Sequence, residues 1–339
     1  MLTTIVLYGV LIPATITAIA FLAAAFALPN RFRAFGTNAA VALGGLGTAL
    51  AFSKLTATPD WPVTDTVHWL YFAALFAVGA GLWDAGFRGV EGGAVRWVRL
   101  VPAFVVAWML PPALFSSLIE HTWDAAEASS WLWSGRLAVL ALWLGLDQAV
   151  ERAGGFGGAV ILTVFATGAS VAVVLGSFAL GAQTIGAAAA SIGSVATAFV
   201  LVRKKSNLSV GAAIPLVVMV SLAGLSAAFH YATLSRNAVV FVVFAPLVAA
   251  AVGFLPKLKP LIRGGAQVVA LIAALAVAGL VAERPAEEAG AAGDDPYDYG
   301  YGYDESPSTD EPAPAEESNP YSDYGNLKGW TPPKQDATP

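Results

Sequence analysis

Apolar positions run through this chain in ten long blocks, and the charged positions fall almost entirely between them. The blocks are 5–28, 34–53, 67–83, 98–119, 131–146, 157–180, 183–202, 209–229, 238–255 and 261–282. A helix rises ~1.5 Å per residue and a hydrocarbon layer is ~30 Å thick, so one crossing takes about twenty mostly apolar residues. The pattern therefore predicts an all-α polytopic transmembrane helix bundle of about ten spans, with 67–83 and 131–146 the shortest. No basic side chain precedes the first block, and it is too long for the apolar region of a secretory signal, so it reads as a retained span. Residues 1–282 form the expected transmembrane helical domain.

Orientation follows from the loops, because short cytoplasmic loops carry the excess of Lys and Arg. Alternate loops on one side hold Arg31, Arg33, Arg88, Arg96, Arg99, Arg152, Arg203, Lys204, Lys205, Lys257, Lys259 and Arg263, twelve in all. The other side holds Lys54, Arg236 and Arg284, with Arg136 just inside the fifth block. The basic side is expected to face the cytoplasm, which puts both termini outside a bacterial-type cytoplasmic membrane. Tryptophans concentrate at block ends, as indole rings at a membrane interface do: Trp61, Trp69, Trp123, Trp131 and Trp133 outside, Trp83, Trp97 and Trp143 inside. Trp108 alone falls in mid-span.

The same pattern stops after Ala282. Residues 283–339 hold fourteen of the 23 acids, three of the 18 bases, nine of the 20 prolines and six of the nine tyrosines, so the formal charge of -5 divides into +6 and -11. Such a segment buries too little apolar surface to offset its ordering entropy, and it is expected to be a disordered, acidic, Pro/Tyr-rich tail of low complexity. The alternation of Tyr297, Tyr299, Tyr301 and Tyr303 with Asp and Gly, and Trp330 near the end, could contact an extracytoplasmic partner, although a solubilising extension is the plainer reading. Over the whole chain 57% of residues are hydrophobic and 12% charged, which excludes a soluble globule. With no cysteine, thiolate catalysis, disulfides and cysteine metal sites are excluded as well.

Helices in lipid associate through close contact at small residues. Gly36, Ala40, Gly44 and Thr48 in the second block, Gly168, Ala172 and Gly176 in the sixth, and Gly186, Ala190, Ser194 and Ala198 in the seventh form such faces, for packing within the bundle or against membrane-protein partners. Only Gly181 and Ala182 separate the sixth and seventh blocks, which predicts a tight antiparallel hairpin. Proline interrupts two blocks: Pro111 and Pro112 free the carbonyls of Ala107 and Trp108, and Pro246 that of Val242. If the chain is two halves of five spans, these helices are equivalents, and paired broken helices are where secondary transporters hold substrates and ions.

Chemistry-bearing residues are few. Asp147 and Glu151 are four apart at the inner end of the fifth block and could form a relay, although a solvated helix end is the plainer reading; Asp84 with Arg88 one turn later reads the same way. His68 and His121 are expected at matching depth on the outer side, near Asp65, Glu120, Asp124 and Glu127, a donor set suited to a divalent metal or to pH sensing, although amphipathic boundary residues are the plainer reading. Ser170 and His230 superficially suggest a serine hydrolase, but their depths disagree. No phosphate loop, dinucleotide fingerprint or HExxH motif is present. The reading is of a non-catalytic membrane protein without cofactor or nucleic acid: a scaffold or accessory subunit of a membrane complex. The alternative is a secondary transporter of a small molecule or ion, using kinked helices 98–119 and 238–255 with Pro111, Pro112, Pro246 and Asp147 along its pathway.

Overall fold

The computed structural model describes residues 2–61, 63, 65–88, 90, 93–202, 209–255 and 260–282. Among these residues there are helices and short connections but no β-strand, and nine helices are long and apolar enough to cross a bilayer, by length and composition. That fits a multi-pass membrane protein. The tail 283–339 with Trp330, and the basic clusters 203–205 and 257–259, lie outside the described residues.

In chain order the helices are α1 (Thr3–Ala27), α2 (Asn30–Leu55), α3 (Thr66–Phe87) and α4 (Gly93–Leu114), then the short α5 (Ser116–His121). There follow α6 (Ala125–Leu175), α7 (Ala179–Val202), α8 (Gly211–Tyr231), α9 (Arg236–Gly253) and α10 (Pro260–Leu280). Each apolar block holds a helix, except that the fourth is divided between α4 and α5, and α6 joins the fifth and sixth. A straight helix of its 51 residues would be ~76 Å long. It is instead folded at Gly154, whose φ of 73° and ψ of -176° suit only glycine. Residues eight apart in a continuous helix are ~12 Å apart along the axis, yet a Cβ built on Gly158 would lie 2.8 Å from Val150 Cγ1. The chain doubles back there. Both distant ends of α6 consequently come to the end of α8: Trp131 packs on Phe229 with ring centroids 5.3 Å apart, and Thr233 N, just past α8, donates to Gly176 O, just past α6, at 3.1 Å.

The predicted hairpin between the sixth and seventh blocks is present, the second arm of α6 packing along α7. Its turn, however, is not Gly181–Ala182. The helix ends at Leu175, Ser177 takes the left-handed φ of 61°, and α7 has begun by Ala179, leaving Gly181 and Ala182 buried within it. The expected small-residue face of α2 does pack: Gly44 lies against Thr17 of α1 and Ser191 of α7. In the sixth block Gly168 admits Leu275 of α10, and Gly176 admits Leu234.

At the centre of the bundle is α8, buried on nearly all sides. Its sequence from Ile214 to Ala228 carries no ionisable side chain, as an all-round buried helix requires. Three helix starts are fixed by side chains. Asp65 Oδ1 accepts from Val67 N at 2.9 Å, Asp124 Oδ1 accepts from Ala126 N and Glu127 N at 2.8 Å, and Ser235 Oγ accepts from Ala238 N at 3.2 Å. These satisfy amides that a helix leaves unpaired at its first turn. In α1, Pro13 cannot donate to the Gly9 carbonyl, and the helix widens to a π-turn over Leu7–Leu11.

Candidate functional site: a buried quartet of charges

Four ionisable side chains converge at the end of the bundle that holds the Gly154 fold. Asp84 stands in the last turn of α3 and Arg88 one residue beyond that helix; Arg99 comes from α4 and Asp147 from the first arm of α6. Their side chains are between 2% and 10% exposed. Arg88 grips Asp84 with a fork, Nε at 2.6 Å from Oδ2 and Nη2 at 3.1 Å from Oδ1, and Nη2 also donates to Asp147 Oδ1 at 3.1 Å. Arg99 Nη2 donates to Asp147 Oδ2 at 2.7 Å and Oδ1 at 2.9 Å, while its Nε lies 3.5 Å from Asp84 Oδ1. Each carboxylate thus touches both guanidinium groups, and the quartet is neutral. Burial opposes the charge on Arg88, but the attraction and hydrogen bonds of Asp84 and Asp147 outweigh it, so the pKa of this group just past the end of α3 is raised.

The backbone is shaped to admit the quartet. The Arg88 guanidinium lies across Gly211 at the start of α8, where an added Cβ would overlap its Cζ. Any side chain at 211 would displace it. Next to it, Ala212 O fills the space that a Cβ on Gly81 would need, so α3 and α8 meet backbone to backbone. Both contacts hold the central helix against the end of α3.

The pairing of Asp84 with Arg88 appears as expected, but the solvated helix end does not. Asp147 is 1% exposed and Asp84 4%, because α6 continues past Asp147 toward Gly154 instead of ending there. Glu151, the expected relay partner, is exposed, whereas Asp147 is buried. Arg152, beside it, donates to Gln148 Oε1 at 2.9 Å and stacks on Phe254, its Cζ 3.4 Å from the ring centroid.

The prolines occupy a different place. Pro111 and Pro112 lie inside a continuous α4, and Pro246 inside a continuous α9. Both proline turns seat on the first arm of α6 at glycines: Pro111 Cβ is 2.9 Å from a Cβ built on Gly135, and Pro246 Cβ is 3.0 Å from one built on Gly145. Val242 is fully buried and Ala107 nearly so, whereas Trp108 faces outward. Two grooves flank α4. The larger, about 610 Å³, runs between α3 and α4 past Trp83, Phe76 and Met109 to Trp61; the smaller, about 420 Å³, holds Trp108, Trp133 and Arg136. Both are walled mainly by apolar side chains.

His121 is exposed and 4.0 Å from Glu120, and His68 sits in the first turn of α3. Among the described residues no group of three or more His, Asp and Glu side chains could hold a metal ion. Asp65 and Asp124, expected beside the histidines, are engaged as helix caps. The third histidine, His230, sits among aromatic rings near the end of α8. Its ring is surrounded by Phe115, Trp123, Trp131 and Phe229 at centroid distances of 5.3, 5.3, 5.2 and 4.7 Å. Ser170 Oγ donates to Ala182 O at 2.7 Å across the α6–α7 hairpin. Trp143, expected at the inner interface, is buried in the core instead.

No protein-family model, curated protein or solved structure matches this chain.

Proposed function

We propose that this chain is a ten-crossing integral membrane protein that acts as a non-catalytic scaffold or accessory subunit, with both termini on the extracytoplasmic side. The tenth crossing comes from the fold at Gly154, which makes α6 two antiparallel arms of 29 and 21 residues on either side of that glycine. The observation that carries the scaffold reading is the quartet. Its two carboxylates and two guanidinium groups pair with one another and leave no net charge, joining α3, α4 and α6 beneath α8 as a clasp. A carrier's charged site must exchange its partners with each cycle, and a carboxylate already gripped by two arginines is a poor acceptor for a further cation. The seating of both proline turns on Gly135 and Gly145 supports the same reading, because a transport pathway would have to run through those turns.

The test sets binding against flux. Chemical cross-linking in native membranes, followed by mass spectrometry, is expected to recover a defined membrane-protein partner at fixed stoichiometry, together with unchanged recovery when Asp147 is replaced by Glu. Purified protein in liposomes is expected to give no substrate- or proton-driven current on a solid-supported membrane. A transient current abolished by Asp147→Asn would overturn the reading in favour of transport.

A further inference from the structure

Arg136 presents a charge that the bundle leaves without a counter-ion. It lies eleven residues into α6, on the first arm, and among the described residues no carboxylate approaches it within 4.0 Å. Its Nε is buried and donates to no acceptor, and its guanidinium is held by two indole rings, Cζ lying 3.9 Å from the Trp108 ring centroid and 4.9 Å from that of Trp133. Arg88 and Arg99, by contrast, are each paired with two carboxylates. Ring quadrupoles offset only part of the cost of removing a cation from water, so a cation at this depth calls for an anion from outside the chain.

The surroundings say which anion. Side chains on a helix lean toward its N-terminus, and Trp133, one turn nearer that end on the same face, is one of the two rings Arg136 reaches, the other being Trp108 of α4. Five residues separate Arg136 from Trp131, ~7.5 Å along the axis. The guanidinium therefore extends toward the interfacial plane marked by the tryptophans, where lipid phosphates lie. Beside it the 420 Å³ groove is walled by Phe104, Val105, Ala107 and Leu140 and opens outward between Trp108 and Trp133, which are 61% and 54% exposed. A fork of N–H donors at the head and an apolar channel below it match a phosphodiester carrying acyl chains. Guanidinium–phosphate pairing is the strong, two-point kind.

We propose that Arg136, Trp108 and Trp133 form a binding site for the phosphate of a membrane phospholipid in the leaflet next to the start of α6, with an acyl chain lying in the adjoining groove. This rests only on the helices lying in a bilayer and is independent of the scaffold reading. Retention of the protein in membranes after an alkaline carbonate wash checks that premise separately.

The test uses the full chain in detergent, with dioleoyl phosphatidylglycerol or its phosphate-free counterpart dioleoylglycerol added before native mass spectrometry. The wild-type protein is expected to hold phosphatidylglycerol, and Arg136→Gln to bind it about tenfold more weakly, the scale of one lost charge-assisted pair. Arg136→Lys should fall between them, since a point charge lacks the fork. Trp133→Leu, which keeps the charge, should weaken binding by a smaller factor and serves if Arg136→Gln does not fold. Dioleoylglycerol should not distinguish the variants, and millimolar inorganic phosphate should not displace the lipid. Equal phosphatidylglycerol binding by wild type and Arg136→Gln would overturn the proposal. So would an equal loss in Arg31→Gln, which removes the same charge elsewhere, or complete displacement by inorganic phosphate, which would make free phosphate the ligand.

Discussion

Asp147 shows how a single residue changes meaning with its surroundings. In sequence it is an acid at the edge of an apolar block; in the bundle it is the acceptor for two arginines from two other elements. Replacing one member of such a set strands charges in a low-dielectric site, which costs more than removing an opposed pair together. Asp147→Asn is therefore expected to lower unfolding free energy by about 3–5 kcal/mol. The double variant Arg99→Met with Asp147→Leu, which leaves the Asp84–Arg88 pair intact and neutral, should cost less than the sum of its singles. Thermal unfolding of wild type, both singles and the double in detergent gives the coupling, and strictly additive losses would show that the two side chains do not act as a pair. Gly211→Ala, which puts a methyl where the Arg88 guanidinium lies, should destabilise by about 1–3 kcal/mol, the usual scale of overpacking. This site is only half legible in the sequence. The Asp84–Arg88 spacing is visible there, but charge serves to mark block ends, and that rule hides any charge buried within a helix. The available signal is a balance: two Asp and two Arg, all near one end of three consecutive predicted spans.

At the scale of elements the apolar blocks carry nearly all the helices, because a bilayer-spanning helix needs length and apolarity, both of which read directly from composition. What they do not show is how a break is made. Gly155, Gly157 and Gly158 all follow within four residues of Gly154, and only the φ of 73° at Gly154 distinguishes the corner from these neighbours. Nothing lies within 4 Å of a Cβ placed there, so the requirement is conformational rather than steric. Gly154→Ala should accordingly cost about 1–3 kcal/mol through backbone strain, whereas Gly264→Ala, which also meets open space but lies in a regular helix, should be neutral or slightly stabilising. Matched melting temperatures for these two variants would mean that the corner adapts without strain. The prolines are ambiguous for a related reason. A missing amide in a transmembrane helix can open a site or provide a notch for packing, and in the sequence nothing points to the glycines opposite, Gly135 and Gly145, on which Pro111 and Pro246 seat.

For the whole molecule, the uneven distribution of Lys and Arg predicts an orientation that fusions can check. A phosphatase active only outside the cytoplasm should be active when fused after Ala282 and inactive when fused after Lys205; the reverse, or activity at both positions, would mean a miscounted crossing. The chain beyond Ala282 bears on stability in a sharper way. With a charge of -11, nine prolines and no apolar period in its sequence, it has little to bury, so the bundle is expected to stand without it. The bundle does, however, depend on the last residues before it. Ser235 N donates to Ala282 O at 2.8 Å, and Ser235 Oγ donates to Val281 O, so the end of α10 is tied to the start of α9 by two hydrogen bonds. Ala282 itself is 1% exposed and belongs to the core. Cutting after Ala282 is therefore expected to leave the melting temperature essentially unchanged, while cutting after Gly279 removes both acceptors and a buried side chain and should lower stability by about 2–4 kcal/mol, at roughly 1 kcal/mol per hydrogen bond plus the lost apolar burial. Thermal melts of the two truncations beside the full chain separate the contributions. A large loss on removing residues 283–339 alone would show that the acidic segment docks on the bundle, with Leu327 and Trp330 the first residues to replace.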